Sequence, residues 1–266
     1  MIKVEHLAKS FYDKTVLKDI SFEVKDGETL AIVGFSGSGK STILKIICGL
    51  LEADSGTIKT SEGDIAMVFQ YSALFDSLNI FDNISFALQE RKDLRKKYSQ
   101  EDLKKIVEEK LKLVGLQGIE NKFPSELSGG MQKRVSFARA IVTNPQTILY
   151  DEPTAGLDPE ERVRFKSLLR KIKNDKTIDR RQVSDVVFSH PEMLEKLKLK
   201  ETTHASSIVV THQMSTIMRT ADQVLMLYDG KAVFQGTPQE MCNGGNEYTK
   251  QFVTSSLTGP MKMLTE

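Results

Sequence analysis

The sequence lacks four features that would each define a class of protein. It has only two cysteines, Cys48 and Cys242, spaced for neither a disulfide framework nor a metal site. It has almost no charge excess, with 37 basic against 36 acidic residues, so no general attraction to nucleic acid or anionic lipid is expected. No apolar run approaches the ~20 residues that cross a bilayer, and residues 1–12 lack the apolar core of a signal peptide. We therefore expect a protein that stays in the cytosol with reduced thiols.

What the sequence does contain is an alternation of strand and helix patterns. Its 266 residues, 39% of them hydrophobic, suffice for one large domain or two joined lobes. Alternating apolar residues in the first 24 positions predict antiparallel strands. Short unbroken apolar runs predict buried parallel strands at 29–33, 147–150 and 207–210. With a closing hairpin at 223–235, the pattern predicts an α/β fold with an N-terminal antiparallel β subdomain.

Three segments depart from this core pattern. Residues of about 74–144 look helical, including the charged stretches 90–97 and 99–112, and we expect them to form a separate lobe. Residues 171–206 are far longer than the ~2–6 residues of a usual connection between helix and strand, so we expect an insertion that is a solvated excursion or a docking surface for a partner. The main domain then spans 1–245, and 246–266 form a C-terminal tail.

A glycine-rich loop follows the first buried strand. Its sequence has the spacing of a phosphate-binding loop between a strand and a helix. The glycines let main-chain N–H groups turn inward, and the helix that begins near Lys40 adds the positive end of its dipole. Lys40 supplies a full charge between the β- and γ-phosphates, and Ser41 can offer its hydroxyl to Mg²⁺. The predicted nucleotide-binding residues here are Gly34, Phe35, Ser36, Gly37, Ser38, Gly39, Lys40, Ser41 and Thr42.

Two acids end the second buried run, at the edge of an α/β sheet where ligands bind. Asp151 is placed to hold magnesium, usually through water. Glu152 could polarise the attacking water as a general base. The alternative, that the two acids only cap the next helix, is weakened by the phosphate-binding loop elsewhere in the same chain.

A second helix start suited to anions occurs at Ser128-Gly129-Gly130. One nucleotide does not need two such anion-binding helix starts, so the second could bind a nucleotide held by another copy of the chain. The plain alternative is that Ser128 caps the helix through its hydroxyl. The residues alone leave both readings open.

The motifs together resemble those of the ATP-binding cassette ATPases. Leu127-Ser-Gly-Gly-Met131 resembles the signature of that family. It follows a phosphate loop and Gln70 and precedes Asp151, Asp158 and His212, which is the family's order. The resemblance covers the chain apart from the insertion, and implies a P-loop NTPase with a RecA-like core and a helical signature lobe. It also implies ATP and Mg²⁺ as ligands, and a head-to-tail dimer in which ATP lies between the phosphate loop of one copy and Ser128 to Gly130 of the other.

The same resemblance implies roles for further residues. Gln70 matches the loop glutamine that meets Mg²⁺ and water and senses the membrane partner. Asp158 matches the aspartate that joins the two composite sites, and His212 the switch histidine that contacts the γ-phosphate. Phe11 matches the aromatic residue that stacks on adenine, with Tyr12 as its rival; core packing is the alternative for either.

Two stretches narrow the resemblance to the ATPases of Mla-type lipid transport systems. These are residues 126–135 and, in the tail, Gln251-Phe252 followed by Thr258-Gly-Pro260. The likeness implies an inner-membrane permease, an MCE-domain substrate-binding protein, a small accessory subunit and phospholipid as cargo, with this chain peripheral on the cytoplasmic face and its tail reaching the neighbouring subunit.

A permease helix would contact the region from Gln70 to Phe86. Its apolar residues Phe75, Leu78 and Phe81 are either that contact surface or the core of the lobe. The competing hypotheses are an ATPase for another cargo, such as an amino acid, a lipoprotein or a drug, and a soluble ATPase of iron–sulfur cofactor assembly. The near-zero net charge and the lack of a second cassette disfavour a nucleic-acid partner.

Overall fold

The computed structural model describes residues 1–61, 63–173, 205–256 and 258–262. The chain divides into two compact units. The first comprises Met1–Tyr71, Gln146–Ala155 and Ser206–Glu266, and the second Ser72–Pro145 and Gly156–Ala205. The predicted insertion, 171–206, lies outside the described residues except at its two ends.

Strands and helices alternate along most of the described chain. The strands are β1 (Ile2–Phe11), β2 (Lys14–Val24), β3 (Thr29–Val33), β4 (Ser55–Thr60), β5 (Ile65–Val68), β6 (Thr147–Asp151), β7 (Ser206–Val210), β8 (Gln223–Tyr228) and β9 (Lys231–Gly236). The helices are α1 (Lys40–Ile47), α2 (Ile80–Glu90), α3 (Gln100–Leu113), α4 (Gly129–Ala140), α5 (Pro159–Lys173), α6 (Met214–Thr220), α7 (Pro238–Cys242) and α8 (Glu247–Thr254), with a 3₁₀ helix at Pro124–Glu126.

Two sheets build the first unit. A three-stranded antiparallel sheet has the order β2-β1-β4, and a six-stranded sheet has the order β5-β6-β7-β3-β8-β9. Strands β5, β6, β7, β3 and β8 are parallel, and β9 returns antiparallel to β8. Every residue of β3, β6 and β7 is buried, as expected for strands covered on both faces. The predicted antiparallel subdomain, parallel core and closing hairpin are confirmed.

The main core of the first unit lies between these sheets. It joins inward-facing residues of the antiparallel sheet, such as Leu7 and Ile20, to the apolar face of α1, represented by Ile43 and Leu44, and to central strand residues such as Leu149. Helix α1 is therefore fixed along one whole side. Because the phosphate-binding loop immediately precedes α1, this packing also fixes the end of the loop.

The described part of the second unit is largely helical, and its helix starts have side-chain caps. The Asn79 side chain accepts a hydrogen bond from the first turn of α2, and Ser99 forms a capping box with Asp102 at α3. The buried rings of Phe137 on α4 and Phe165 on α5 meet edge to face, with centroids 5.6 Å apart. These local signals account for helices in this part of the sequence.

One sequence expectation fails in detail, and one strand was not predicted. Residues 91–97 were expected to be helical, but α2 ends at Glu90 and turns follow up to Lys97. Arg91 has an extended backbone and pairs with Asp93 at 2.7 Å, so local contacts replace the helix. The sequence also gave no sign of strand β4, in which Ile58 is the one residue that is not exposed.

No helix of the described residues has both the length and the apolar character needed to cross a bilayer.

Candidate functional site

The predicted site residues of the first unit follow the ends of parallel strands. Gly34 follows β3, Gln70 lies two residues after β5, Asp151 ends β6, and His212 lies two residues after β7. The carboxyl ends of parallel strands share one edge of the sheet, where ligands of α/β proteins bind. The sheet order β5-β6-β7-β3 therefore places these four groups side by side.

The phosphate-binding loop is already folded around its lysine. The Lys40 Nζ donates hydrogen bonds to the carbonyl oxygens of Gly34 at 3.0 Å and Phe35 at 2.8 Å. Burial lowers the pKa of the Lys40 amine, while the nearby charges of Glu152 and Asp151 act to raise it. A desolvated cation inside a ring of main chain is suited to bind an anion strongly.

Two further features show that the loop fits an anion. Helix α1 has Gly39 as its N-cap and no side-chain hydrogen bond there, so side chains leave its first N–H groups available. The buried Ser38 hydroxyl has no hydrogen-bond partner among the described residues. A Cβ on Gly34 would lie 2.3 Å from the Leu227 carbonyl oxygen, and its φ is +144°, so the loop's close approach to β8 requires glycine. A phosphate group would satisfy both the hydroxyl and the helix end.

Ser41 and Asp151 meet although 110 residues separate them in the sequence. The Ser41 hydroxyl donates to the Asp151 carboxylate, with Oγ and Oδ1 2.9 Å apart. One hydroxyl and one carboxylate, completed by waters and phosphate oxygens, are typical of Mg²⁺ bound with a nucleotide. The described residues contain no group of three or more His, Cys, Asp or Glu able to hold a metal.

Glu152 and His212 form the second contact of the site. The Glu152 Oε1 lies 2.9 Å from the His212 Nδ1. Glu152 has a positive φ of 45°, and its main-chain N–H donates to the Val210 carbonyl oxygen, which turns the side chain off the end of β6. Its second oxygen, Oε2, is buried with no hydrogen-bond partner among the described residues. This oxygen is an available acceptor for a proton.

Lys40, Ser41, Glu152 and His212 line one cleft of about 820 Å³, whereas Asp151 and Ser38 lie behind its surface. Its lining residues are Lys14, Val16, Gly34, Phe35, Ser36, Gly37, Gly39, Lys40, Ser41, Thr42, Gln70, Glu152, Ala155, Val210, His212, Met214, Gln251, Phe252, Ser255 and Ser256. Neither Phe11 nor Tyr12 is among them; both rings are exposed, and the Lys9 amine lies 5.5 Å from the centre of the Phe11 ring. Sequence reasoning missed nine of the lining residues, which are Lys14, Val16, Ala155, Val210, Met214, Gln251, Phe252, Ser255 and Ser256.

The signature residues lie in the second unit. The Ser128 hydroxyl accepts a hydrogen bond from the Met131 N–H at 3.2 Å, so it caps α4. A Cβ on Gly130 would collide with the Glu161 carboxylate, while Gly129 is open. The Asp158 carboxylate accepts from the Glu161 N–H at 2.8 Å at the start of α5. The cap on α4 is present, and a role of Ser128 toward a nucleotide on another copy stays a prediction.

The fold and the cleft define a P-loop ATPase of the α/β class. A family model described as ABC transporter matches residues 17–155, and the chain belongs to that family. The chain is accordingly an ATPase subunit of the ABC transporter type, with ATP and Mg²⁺ as its ligands. The predicted fold class, activity and cofactors are confirmed.

Individual relatives agree with this family. The chain is 39% identical to Protein TRIGALACTOSYLDIACYLGLYCEROL 3, chloroplastic, of Arabidopsis thaliana, over 98% of this chain and 76% of the relative. It is 38% identical to the sulfate/thiosulfate import ATP-binding protein CysA of Synechocystis, over 90% of this chain and 61% of the relative. Among solved structures, the dimeric post-hydrolysis state of the ATP-binding cassette MJ0796 bound to ADP and Pi matches with a TM-score of 0.70 and 26% identity, over 90% of this chain and 99% of that one.

Proposed function

We propose that the cleft hydrolyses ATP with Glu152 as general base, and that this reaction drives phospholipid transport through a membrane permease. The observation that carries the catalytic part is the pair of contacts at the sheet edge, Ser41 with Asp151 and Glu152 with His212. These contacts support the proposal, in which Ser41 and Asp151 would bind the metal and Glu152 would accept the proton beside the same phosphate loop.

The residues of the proposed catalytic site have distinct roles. Lys40 and the uncapped start of α1 bind the phosphates. Ser41, Gln70 and Asp151 would hold Mg²⁺, which would neutralise charge on the phosphates. The Glu152 Oε2 takes a proton from the attacking water as the water oxygen bonds to the γ-phosphorus and the bond to the ADP oxygen breaks. His212, whose Nδ1 contacts the other Glu152 oxygen, would contact the γ-phosphate.

We also propose that a second copy of this chain completes the site. Ser128, Gly129, Gly130 and Asp158 of that copy would close over the ATP in a head-to-tail dimer. The similar MJ0796 cassette, which is dimeric with ADP and Pi bound, supports this arrangement. The exposed, unobstructed face of Gly129 leaves room for a phosphate to approach the start of α4.

The permease contact is assigned to an aromatic pair in the second unit. Phe75 and Phe86 have ring centroids 4.8 Å apart, yet 43% and 39% of their surfaces are exposed. The Arg139 guanidinium lies 5.5 Å from the centre of the Phe75 ring. Leu78 and Phe81, which lie between the two phenylalanines in the sequence, are partly buried. Adjacent aromatic rings held open to solvent beside an arginine are typical of a protein interface.

Phospholipid is the cargo that the sequence favours, through the Mla-like stretches 126–135 and 251–260. A relative at 39% identity bears the name of a galactolipid, which also supports a lipid. The partners would then include an MCE-domain protein and a small accessory subunit, with the chain on the cytoplasmic face of the inner membrane. The second candidate cargo is a small anion, since another relative is a sulfate/thiosulfate importer at 38% identity.

The test is to purify the tagged full chain from detergent-solubilised membranes and to identify co-purifying proteins and lipids by mass spectrometry. We expect a permease, an MCE-domain protein and bound phospholipid. Co-purification with a permease of another class would contradict phospholipid as the cargo. Recovery from the soluble fraction alone would favour the role in iron–sulfur cofactor assembly. Combined Phe75→Ala and Phe86→Ala substitutions should lose the permease, whereas Phe123→Ala, at an exposed ring of the same unit, should keep it.

A further inference from the structure

Residues 258–262 fold back onto helix α8. The buried Gln251 side chain donates from Nε2 to the Met261 carbonyl oxygen at 2.9 Å, and its Oε1 accepts from the Met261 N–H at 2.8 Å. One side chain thus pairs with both main-chain groups of Met261, as a neighbouring strand would. Such a doubly bonded buried amide fixes the position of residues 258–262 relative to α8. We call this pairing the Gln251–Met261 clip.

The sequence around the clip is suited to it. Gly259 has a φ of +154°, and a Cβ there would lie 2.4 Å from the Gln251 Oε1, so any larger residue would push into the clip. The Tyr228 hydroxyl accepts a hydrogen bond from the Lys262 N–H at 2.9 Å, which ties the segment to the end of β8. The Gly-Pro motif of the tail therefore has a structural role inside its own chain.

The clip leads directly to the ATP-binding cleft. The buried Met261 side chain belongs to an apolar cluster that includes Val33, the last residue of β3. Phe35 of the phosphate-binding loop, Met214 after the switch histidine, and Phe252 of α8 all pack against this same cluster. Gln251 and Phe252 also line the cleft itself, together with the hydroxyl-bearing Ser255 and Ser256.

We propose that α8, with Ser255 and Ser256 after it, forms a cis wall of the nucleotide cleft, and that the Gln251–Met261 clip, which fixes residues 258–262 behind that wall, positions the phosphate-binding loop through Phe252 and Phe35. Met261 and Gly259 are positioning residues, because they do not line the cleft and act on the nucleotide through other groups, whereas Gln251 both lines the cleft and holds Met261. This proposal rests on the proposed function, in which the cleft binds ATP. It assigns to the tail a task within its own subunit, separate from any contact with a neighbouring one.

A fluorescent reporter tests whether α8 senses the nucleotide. The chain contains no tryptophan, so Phe252→Trp gives a single reporter in the cleft wall. Lys250→Trp, at an exposed position of the same helix, is the control. Adding ATP with Mg²⁺ should change the emission of the residue-252 reporter and leave that of the residue-250 reporter unchanged. If calorimetry shows ATP bound to the Phe252→Trp variant while its emission stays constant, α8 is not part of the cleft.

A second experiment tests the clip. Gln251→Ala and, independently, Gly259→Ala should raise the KM for ATP about tenfold, with kcat reduced by less than twofold, because each disturbs about two buried hydrogen bonds. Lys250→Ala should match the wild type. Folded variants, verified by circular dichroism, that keep the wild-type KM would overturn the clip's role. Failure of the wild-type chain to bind ATP by calorimetry would instead overturn the proposed function, and this proposal with it.

Discussion

Replacing Glu152 by glutamine should separate ATP binding from ATP hydrolysis. Glutamine has nearly the same size and shape, so its side chain can keep a hydrogen bond to the His212 Nδ1, now 2.9 Å from the Glu152 Oε1. The change falls on the second oxygen, which is buried and has no hydrogen-bond partner in the described part of the chain. An amide there cannot take a proton from water.

The size of the effect follows from the role of a general base. Positioned proton transfer contributes about 10²–10⁴-fold to a rate, or about 3–5 kcal/mol of barrier, so turnover should fall by that factor. Binding should be equal or tighter, because the variant removes one negative charge from a cleft that receives a triphosphate. The Lys40 amine loses one of the two carboxylates that act to raise its pKa, but it gains the phosphates in the complex.

The assay combines phosphate release with calorimetry of ATP binding. Light scattering with ATP present should show a stable dimer of the Glu152→Gln variant, since the nucleotide would persist between the copies. Glu23→Gln, the same change at an exposed position of β2, is the matched control and should behave as the wild type. Hydrolysis at the wild-type rate by the Glu152→Gln variant would refute Glu152 as the base.

Three further predictions follow from other parts of the molecule. Lys40→Ala should reduce ATP affinity at least tenfold by calorimetry because its charge between the phosphates is lost, whereas Lys45→Ala, exposed on the same helix, should not. Phe165→Ala should lower the free energy of unfolding in urea by about 3–5 kcal/mol, since the ring is buried; a smaller loss would mean that the site collapses. Burial raises the pKa of the Cys48 thiol, so iodoacetamide at pH 8 should alkylate the exposed Cys242 before Cys48. The alkylation rate of Cys48 should increase as the pH rises, and equal rates for the two cysteines by mass spectrometry would contradict this.

Much of the fold was predictable because the buried strands are short, unbroken and bounded by turn residues. The run from Thr29 to Val33 matches β3 residue for residue, and the motif after it fixes the loop and helix. Strand β4 was not predictable, since Ile58 alone gives no alternation, and it forms because β1 offers it a pairing edge. The order of strands in the larger sheet was also beyond local pattern, because it depends on how crossovers pack.

The candidate site divides in a similar way. The residues that follow strand ends could be predicted, because a short sequence motif identifies each of them. The structure brings Ser41 to Asp151 and Glu152 to His212. The catalytic and metal-binding roles of these residues stay predictions. The part played by the tail could not be predicted. The contact of Gln251 with Met261 spans ten residues and joins a helix residue to a methionine that packs among strand residues, so no local pattern announces it. The resemblance to Mla-type ATPases predicts a contact between the tail and a neighbouring subunit. The described residues of the tail pack on their own chain.

The lysine of the phosphate loop has one more consequence. Because its amine donates to the carbonyl oxygens of Gly34 and Phe35, the loop's own main chain holds the side chain in one defined rotamer. The entropy lost in ordering a long flexible side chain, about 1.5–2 kcal/mol, is then part of folding and does not oppose association. The contribution of Lys40 to ATP affinity is then the difference between its hydrogen bonds to the phosphates and its hydrogen bonds to the Gly34 and Phe35 carbonyl oxygens. Weakening the bonds to the two carbonyl oxygens should tighten ATP binding only while the loop stays ordered.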